Sequence, residues 1–189
     1  LGGDGRDRVD YEGALVVTLD GVDDDGGPGE NDHLEGIEDV RGSGSPDGPD
    51  QSIVGDDLEN SLTMAGGEHG LVDGRGGDDR IGFARNLLGG DGDDAIELSP
   101  ITGARAEGGN GADRITGQEL GRSCHDGGCV DVFHAYDVDA GPGDDTIRVA
   151  MTEYADAVPD AIVCGDGWDV VEADHEDVVA LDCEVVERR

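Results

Sequence analysis

The chain contains no lysine: its 12 basic residues are all arginine and stand against 47 acidic ones, for a formal net charge of −35 in 189 residues. A charge of that size and sign repels phosphate backbones and anionic lipid surfaces, so nucleic acid is not expected as a partner. Aromatic residues make up only 3% of the chain, too few for a conventional aromatic-rich core, and the pairing of low hydrophobicity with high charge is also the composition of a disordered polypeptide. There is no apolar run of about 18 residues, so membrane insertion through a helix is not expected. The opening "LGGDGRD" lacks the charged and then apolar character of a secretion signal, which fits a mature or excised form. Four cysteines with no CxxC pair suit two disulfides formed in an oxidising compartment, and export to the extracellular space or cell surface is expected. Catalytic signatures are missing as well. No GxSxG elbow or HExxH helix is present, the five histidines (His33, His69, His125, His134, His175) are scattered, and carboxylate pairs carry no specificity in so acidic a chain. No enzymatic activity is expected.

What the chain has in excess is glycine, 35 residues, much of it in one repeated pattern. Alignment on an aspartate two residues before an apolar residue gives "GGDGRDRVD" (2–10), "GRGGDDRIG" (74–82), "GGDGDDAIE" (89–97), "GGNGADRIT" (108–116), "AGPGDDTIR" (140–148) and "CGDGWDVVE" (164–172). Each has glycine fourth, aspartate sixth and valine or isoleucine eighth. A weaker copy, "GDDLENSLT" (55–63), keeps Asn60 and Leu62 at the last two of these positions. A second regularity does not depend on glycine. Nine residues before each eighth-position residue lies another small or apolar one: Ile53 before Leu62, Val72 before Ile81, Leu87 before Ile96, Ala106 before Ile115, Val138 before Ile147 and Ile162 before Val171. From Ile81 onward, successive pairs are separated by 15, 19, 32 and 24 residues. One edge of the structure is therefore constant and the opposite edge absorbs insertions.

This pattern describes a winding chain. A short strand enters the glycine-rich turn and a second begins at the eighth position, with its inward side continuing at Phe83, Leu98 and Val149. Stacked coils build two parallel sheets around a thin aliphatic ladder, and each coil is stable only through its neighbours. The expected fold is all-β: a parallel β-roll or irregular β-helix solenoid with variable loops on one edge. Stacking brings the turns about 4.8 Å apart and aligns the sixth-position aspartates, which would repel one another without a cation. Oxygen-only ligands with flexible geometry and net negative charge select calcium over magnesium.

The six nonapeptides resemble the GGxGxDxUx repeats of RTX-type calcium-binding proteins, a parallel β-helix signature, over roughly residues 42–183 plus the copy at the start. The resemblance implies that adjacent turns share each calcium through backbone carbonyls and the sixth-position aspartate. It assigns Asp79, Asp94, Asp113, Asp145 and Asp169 as carboxylate ligands, the turns of Gly77, Gly92, Gly111 and Gly143 as carbonyl donors, and Asp7 to a separate first site. Residues 17–40 resemble the acidic insert of secreted actinobacterial-type members. The family carries turns with a clamp on both edges, whereas most turns here show one.

Within the insert, Asp20, Asp23, Asp25 and Asp32 surround Gly26 and Gly27 and could hold a further calcium; the alternative is a solvated acidic loop. Cys164 and Cys183 are 19 residues apart, as are Ile162 and Leu181, so a last coil of that length with both apolar residues facing inward would set the cysteines side by side as a disulfide. Cys124 and Cys129 lie in the excursion between Ile115 and Val138 and suit a second disulfide; zinc held with His125 and His134 is the alternative.

Residues 1–41 are read as an incomplete first repeat carrying the acidic insert and 42–189 as the solenoid with a disulfide-stapled C-terminal turn, together one continuous domain. The expectation is a secreted calcium-binding structural protein that folds on calcium, with head-to-tail self-association into a filament because the first repeat has no strand nine residues before Val9. The alternative is an adhesive module, or a secretion and folding domain, cut from a larger protein or enzyme.

Overall fold

A computed structural model of the chain describes residues 2–13, 15–43, 51–66, 69–99, 103–117, 135–149 and 158–189, and the backbone of 122–125 and 128–131. Among the described residues all regular secondary structure is β, as expected. The first sheet has nine strands: Arg8–Glu12, Asp39–Ser43, Ser61–Ala65, Arg80–Gly82, Ala95–Glu97, Arg114–Thr116, Thr146–Arg148, Val170–Ala173 and Val185–Arg188. The second has eight: Val16–Thr18, Gln51–Val54, Gly70–Gly76, Asn86–Asp91, Arg105–Asn110, Asp137–Asp139, Ala161–Val163 and Val178–Val179. The chain alternates between them, so sequence neighbours fall in different sheets and every pairing inside the two sheets is parallel.

The register follows the spacing of the apolar residues. In the first sheet Val9, Val40, Leu62, Ile81, Ile96, Ile115, Ile147, Val171 and Val186 are successive partners. In the second the file is Val17, Ile53, Val72, Leu87, Ala106, Val138, Ile162 and Val179. All six nine-residue pairs join one file to the other. Their side chains form one buried cluster, completed by Leu98 and Val149 two residues after their ladder positions. Each fully buried aliphatic side chain contributes roughly 1.5–3 kcal/mol, enough for a ladder to replace a rounded core.

Three expectations about inward positions need correction. Phe83 is only half-buried; its φ of 68° turns it off the inward face, and Ala84 takes the interior place. Leu181 is fully exposed, because Ile162 pairs with Val179 and the chain turns at 181–182 before reaching Cys183. The constant edge also has exceptions at both ends: 23 residues separate Val17 from Val40, and seven separate Val179 from Val186. The acidic insert is therefore the enlarged turn of the first coil. Residues 41 and 42 both lie within Asp39–Ser43, so the insert-bearing segment and the solenoid share the same sheets.

Within the insert, Asp23–Asp25 and Asp32–His33 form an antiparallel hairpin. It covers the outer edge of the second sheet: the amides and carbonyls of Val16 and Gly26 bond reciprocally at 3.1 and 3.0 Å, and the Thr18 amide donates to Asp25 Oδ1 at 2.6 Å. The edge that the spacing leaves open beside the first repeat is thus partly capped by the chain itself.

Candidate metal centre along one edge

The turns that lead from the second sheet to the first use two columns of left-handed residues, the first being Arg75, Gly90, Gly109, Gly141 and Gly165, with φ between 71° and 114°. Gly77, Gly92, Gly111, Gly143 and Gly167 have φ between 97° and 157°. A Cβ on Gly111 would lie 2.0 Å from the carbonyl oxygen of Gly92, so close stacking requires glycine as much as the backbone angle does.

Beneath these columns the sixth-position residues stitch coil to coil. Each backbone amide donates to the carboxylate of the next coil: Asn60 to Asp79 Oδ1 (2.8 Å), Asp79 to Asp94 (2.8 Å), Asp94 to Asp113 (2.9 Å), Asp113 to Asp145 (2.8 Å) and Asp145 to Asp169 (2.9 Å). Two glutamates that the repeat pattern does not reveal extend the file: Asp169 donates to Glu184 Oε2 at 3.0 Å, and Asp7 to Glu38 Oε2 at 2.8 Å. Both lie two residues before a ladder valine, Val186 and Val40, and that spacing is the signal that could have found them. An exposed second file runs the other way, Asp93 donating to Asp78 Oδ1 and Ala112 to Asp93 Oδ1.

The other oxygen of each central aspartate has no such use. Oδ2 of Asp79, Asp94, Asp113, Asp145 and Asp169 is buried without a hydrogen-bond partner, in residues at most 2% exposed. Burying such an oxygen is costly unless something compensates it. Burial is also the main reason that the Asp79 and Asp145 carboxyls rise to about 7 and those of Asp94 and Asp113 to about 6, with Asp169 raised as well; the accepted amides pull the other way.

Carbonyl oxygens converge on the same places. A Cβ on Gly74 would meet Asp79 Oδ2 at 2.2 Å and the Gly89 carbonyl oxygen at 2.5 Å. On Gly89 it would meet Asp94 Oδ2 at 2.4 Å and the Gly108 oxygen at 2.2 Å, and on Gly108, Asp113 Oδ2 at 2.3 Å and the Ala140 oxygen at 2.2 Å. Each cradle pairs a carboxylate of one coil with a carbonyl of the next, an all-oxygen donor set that fits a hard divalent cation.

The remaining candidates separate clearly. Asp7 lies at the same edge, but its Oδ2 accepts the Gly3 amide at 2.7 Å. Asn60 takes the place of an aspartate, and its Oδ1 accepts the Asp56 amide at 3.0 Å. On the opposite edge the same stitch occurs near the C-terminal end, Asp160 Oδ1 accepting from the Tyr136 amide (2.7 Å) and Asp177 Oδ1 from the Asp160 amide (2.9 Å). In the insert Asp25 is buried, Asp32 is its cross-strand partner, Asp23 pairs with His33 at 2.7 Å and Asp20 accepts the Val22 amide at 3.0 Å, so the four aspartates do not converge.

Cys164 and Cys183 form the expected disulfide, with Cα atoms 5.3 Å apart. With Asp182 they are the one group of three His, Cys, Asp or Glu ligand atoms within 4.8 Å of one another among the described residues, and the disulfide occupies both sulfurs. Cys124 and Cys129 face each other in an antiparallel backbone pair; their side chains, and His134, lie outside the described residues. Comparison of the chain with family models, with curated proteins and with solved structures finds no match.

Proposed function

We propose that the chain is an extracellular structural protein whose solenoid is completed by calcium ions bound between successive turns. The observation that carries this reading is the file of five buried, unpartnered carboxylate oxygens at Asp79, Asp94, Asp113, Asp145 and Asp169. Calcium would be held by these oxygens and by turn carbonyls such as those of Gly89, Gly108 and Ala140, each ion bridging two coils. Bound there, it neutralises charge that otherwise opposes stacking in a chain of net charge −35. Because a coil buries little alone, ions between coils act on folding itself, and binding free energy becomes folding free energy. The Cys164–Cys183 disulfide supports assignment to an oxidising compartment.

The test is calorimetric titration of the chelated protein with calcium, with circular dichroism followed in parallel. Cooperative gain of β-structure is expected at the affinities of extracellular modules, about 10⁻⁴–10⁻³ M. An unchanged spectrum and no heat of binding would overturn the proposal.

Head-to-tail association is a second reading, favoured by the outermost strands of the first sheet, Arg8–Glu12 and Val185–Arg188, each paired on one side. Light scattering in saturating calcium tests it, and a strict monomer at high concentration would exclude it.

A further inference from the structure

The column aspartates share one hydrogen-bond pattern but not one set of surroundings. Asp73, Leu88, Glu107, Asp139 and Val163 are successive partners in the second sheet, and the residue after each opens the turn, five positions before a column aspartate. Three of these residues, Gly74, Gly89 and Gly108, have no side chain. In front of them the buried, unpartnered Oδ2 of Asp79, Asp94 and Asp113 meets a carbonyl oxygen of the next coil, both oxygens lying 2.2–2.5 Å from the point a Cβ would occupy. Carbon does not approach oxygen that closely, so the two oxygens come together only because glycine holds the position.

The next two coils differ. Ala140 precedes Asp145 and Cys164 precedes Asp169, and both are fully buried. Their Cβ atoms fill the space that glycine leaves open, so Oδ2 and the following carbonyl cannot meet there as they do at Asp94. The Cys164 sulfur is also committed to Cys183. Toward the N-terminus the converse holds. Gly55 leaves the space open, with Asn60 Oδ1 at 2.3 Å and the Gly74 oxygen at 2.6 Å from the Cβ point, but the side chain is a neutral amide whose oxygen already accepts the Asp56 amide.

We infer that the residue opening each turn selects which column aspartates take a cation: Gly74, Gly89 and Gly108 admit calcium at Asp79, Asp94 and Asp113, whereas Ala140 and Cys164 exclude it at Asp145 and Asp169. The inference rests on the calcium reading above and narrows its five oxygens to three. The column then changes along its length, from coils joined by ions to a final coil closed by the Cys164–Cys183 bond.

Asparagine in place of a column aspartate keeps an oxygen for the neighbouring amide and removes only the charge, so the stitch survives substitution at Asp113, Asp145 and Asp169. The full-length parent and its variants are dialysed to equilibrium against saturating calcium at high salt. Bound calcium is counted by atomic absorption, with circular dichroism as the check on folding. Asp113→Asn should lose about one equivalent, Asp145→Asn and Asp169→Asn should bind as much as the parent, and Ala140→Gly should gain about one. Ions held elsewhere in the chain are common to every variant and cancel in the differences. An equivalent lost in Asp145→Asn or Asp169→Asn, or none gained in a folded Ala140→Gly, overturns this inference alone. If Ala140→Gly loses β-structure, the asparagine variants decide. A parent without calcium, or an unchanged count in Asp113→Asn, overturns the calcium reading and this inference with it.

Discussion

The amide of Asp94 donates to Oδ1 of Asp113 at 2.9 Å, while Oδ2 of the same Asp113 carboxylate stays buried without a donor. The residue therefore joins two coils through one oxygen and keeps with the other a charge that burial disfavours. Stability and cation binding meet in a single side chain, and the consequences separate by pH and by substitution.

The first consequence is a pH dependence that calcium inverts. The column carboxyls sit at about 6 to 7 in the fold, against an ordinary value of 3.8, so the cation-free fold binds more protons than the unfolded chain between these values. A raised acid contributes stability that is fully present below its unfolded value and is lost as pH rises through its folded value. In chelator, β-structure should increase as pH is lowered from about 8 to about 5. In calcium the fold should persist at the upper end, and the apparent affinity should fall below about pH 6, where protons compete for Oδ2. Circular dichroism at constant ionic strength reads both; a flat chelator profile would show that the column is not titrating.

Asp94 distinguishes the two uses of one carboxylate. Asparagine keeps an oxygen for the Asp79 amide and removes the charge; Asn60 shows an asparagine accommodated in the column, its own Oδ1 accepting from Asp56 within its turn. Asp94→Asn should therefore fold at least as well as the parent in chelator, yet bind less calcium. Asp94→Ala leaves the Asp79 amide buried without its acceptor, a loss of about 1–3 kcal/mol. Urea unfolding in chelator ranks the variants, and equal midpoints for alanine and asparagine would contradict the stitching role.

Gly111 tests how tightly the turns stack. Its φ is 143°, and a Cβ there would lie 2.0 Å from the Gly92 oxygen, backbone that cannot swing aside. Gly111→Ala should cost more than about 1 kcal/mol and weaken calcium binding between the two coils. Gly3→Ala, with nothing within 4 Å of the added carbon, is the matched control. Similar unfolding midpoints for the two variants would mean that the columns stack loosely enough to admit the added carbon.

Much of this architecture is written in the spacing. Val72 and Ile81, or Ala106 and Ile115, stay nine residues apart because a tight glycine turn fixes the path between the sheets, so the files of ladder residues and aspartates are readable. Legibility fails where that turn is absent. Val17 and Val40 are ladder neighbours of later coils but are separated by the insert, and Glu38 and Glu184 put glutamate where the repeats align on aspartate, Glu38 behind a single glycine, Gly36, and Glu184 behind none. Phe83 misleads because its inward place depends on a backbone angle, which apolar character does not encode. In the insert the acidic residues are plain, but their partners depend on the hairpin register, which sends Asp23 to His33.

The C-terminal coil tests whether a covalent link does there what cations are proposed to do further up the column. The last strand of the second sheet, Val178–Val179, has two residues, and the column ends at Glu184, an exposed glutamate accepting the Asp169 amide. Noncovalent restraints act there as well: Val185–Arg188 pairs over four residues with Val170–Ala173, Arg188 donates to the carbonyls of Asp174 and Asp177 at 2.8 and 3.2 Å, and the amides of Val178 and Ala180 donate to the carbonyls of Asp160 and Ile162. The Cys164–Cys183 bond closes a 19-residue separation over this segment. A loop of that order restricts the unfolded chain by about 3 kcal/mol in the chain-entropy picture. Replacing both cysteines by serine leaves the Cys124–Cys129 pair untouched, so the effect of this one bond is isolated. The variant should lose about that much stability in calcium. Hydrogen exchange at Val178 and Val185 should accelerate before exchange at Ile96 and Ile115, because the central coils keep neighbours on both sides. If those two amides stay as protected as in the parent, the short strand and Arg188 suffice, and the disulfide is not what holds the final coil.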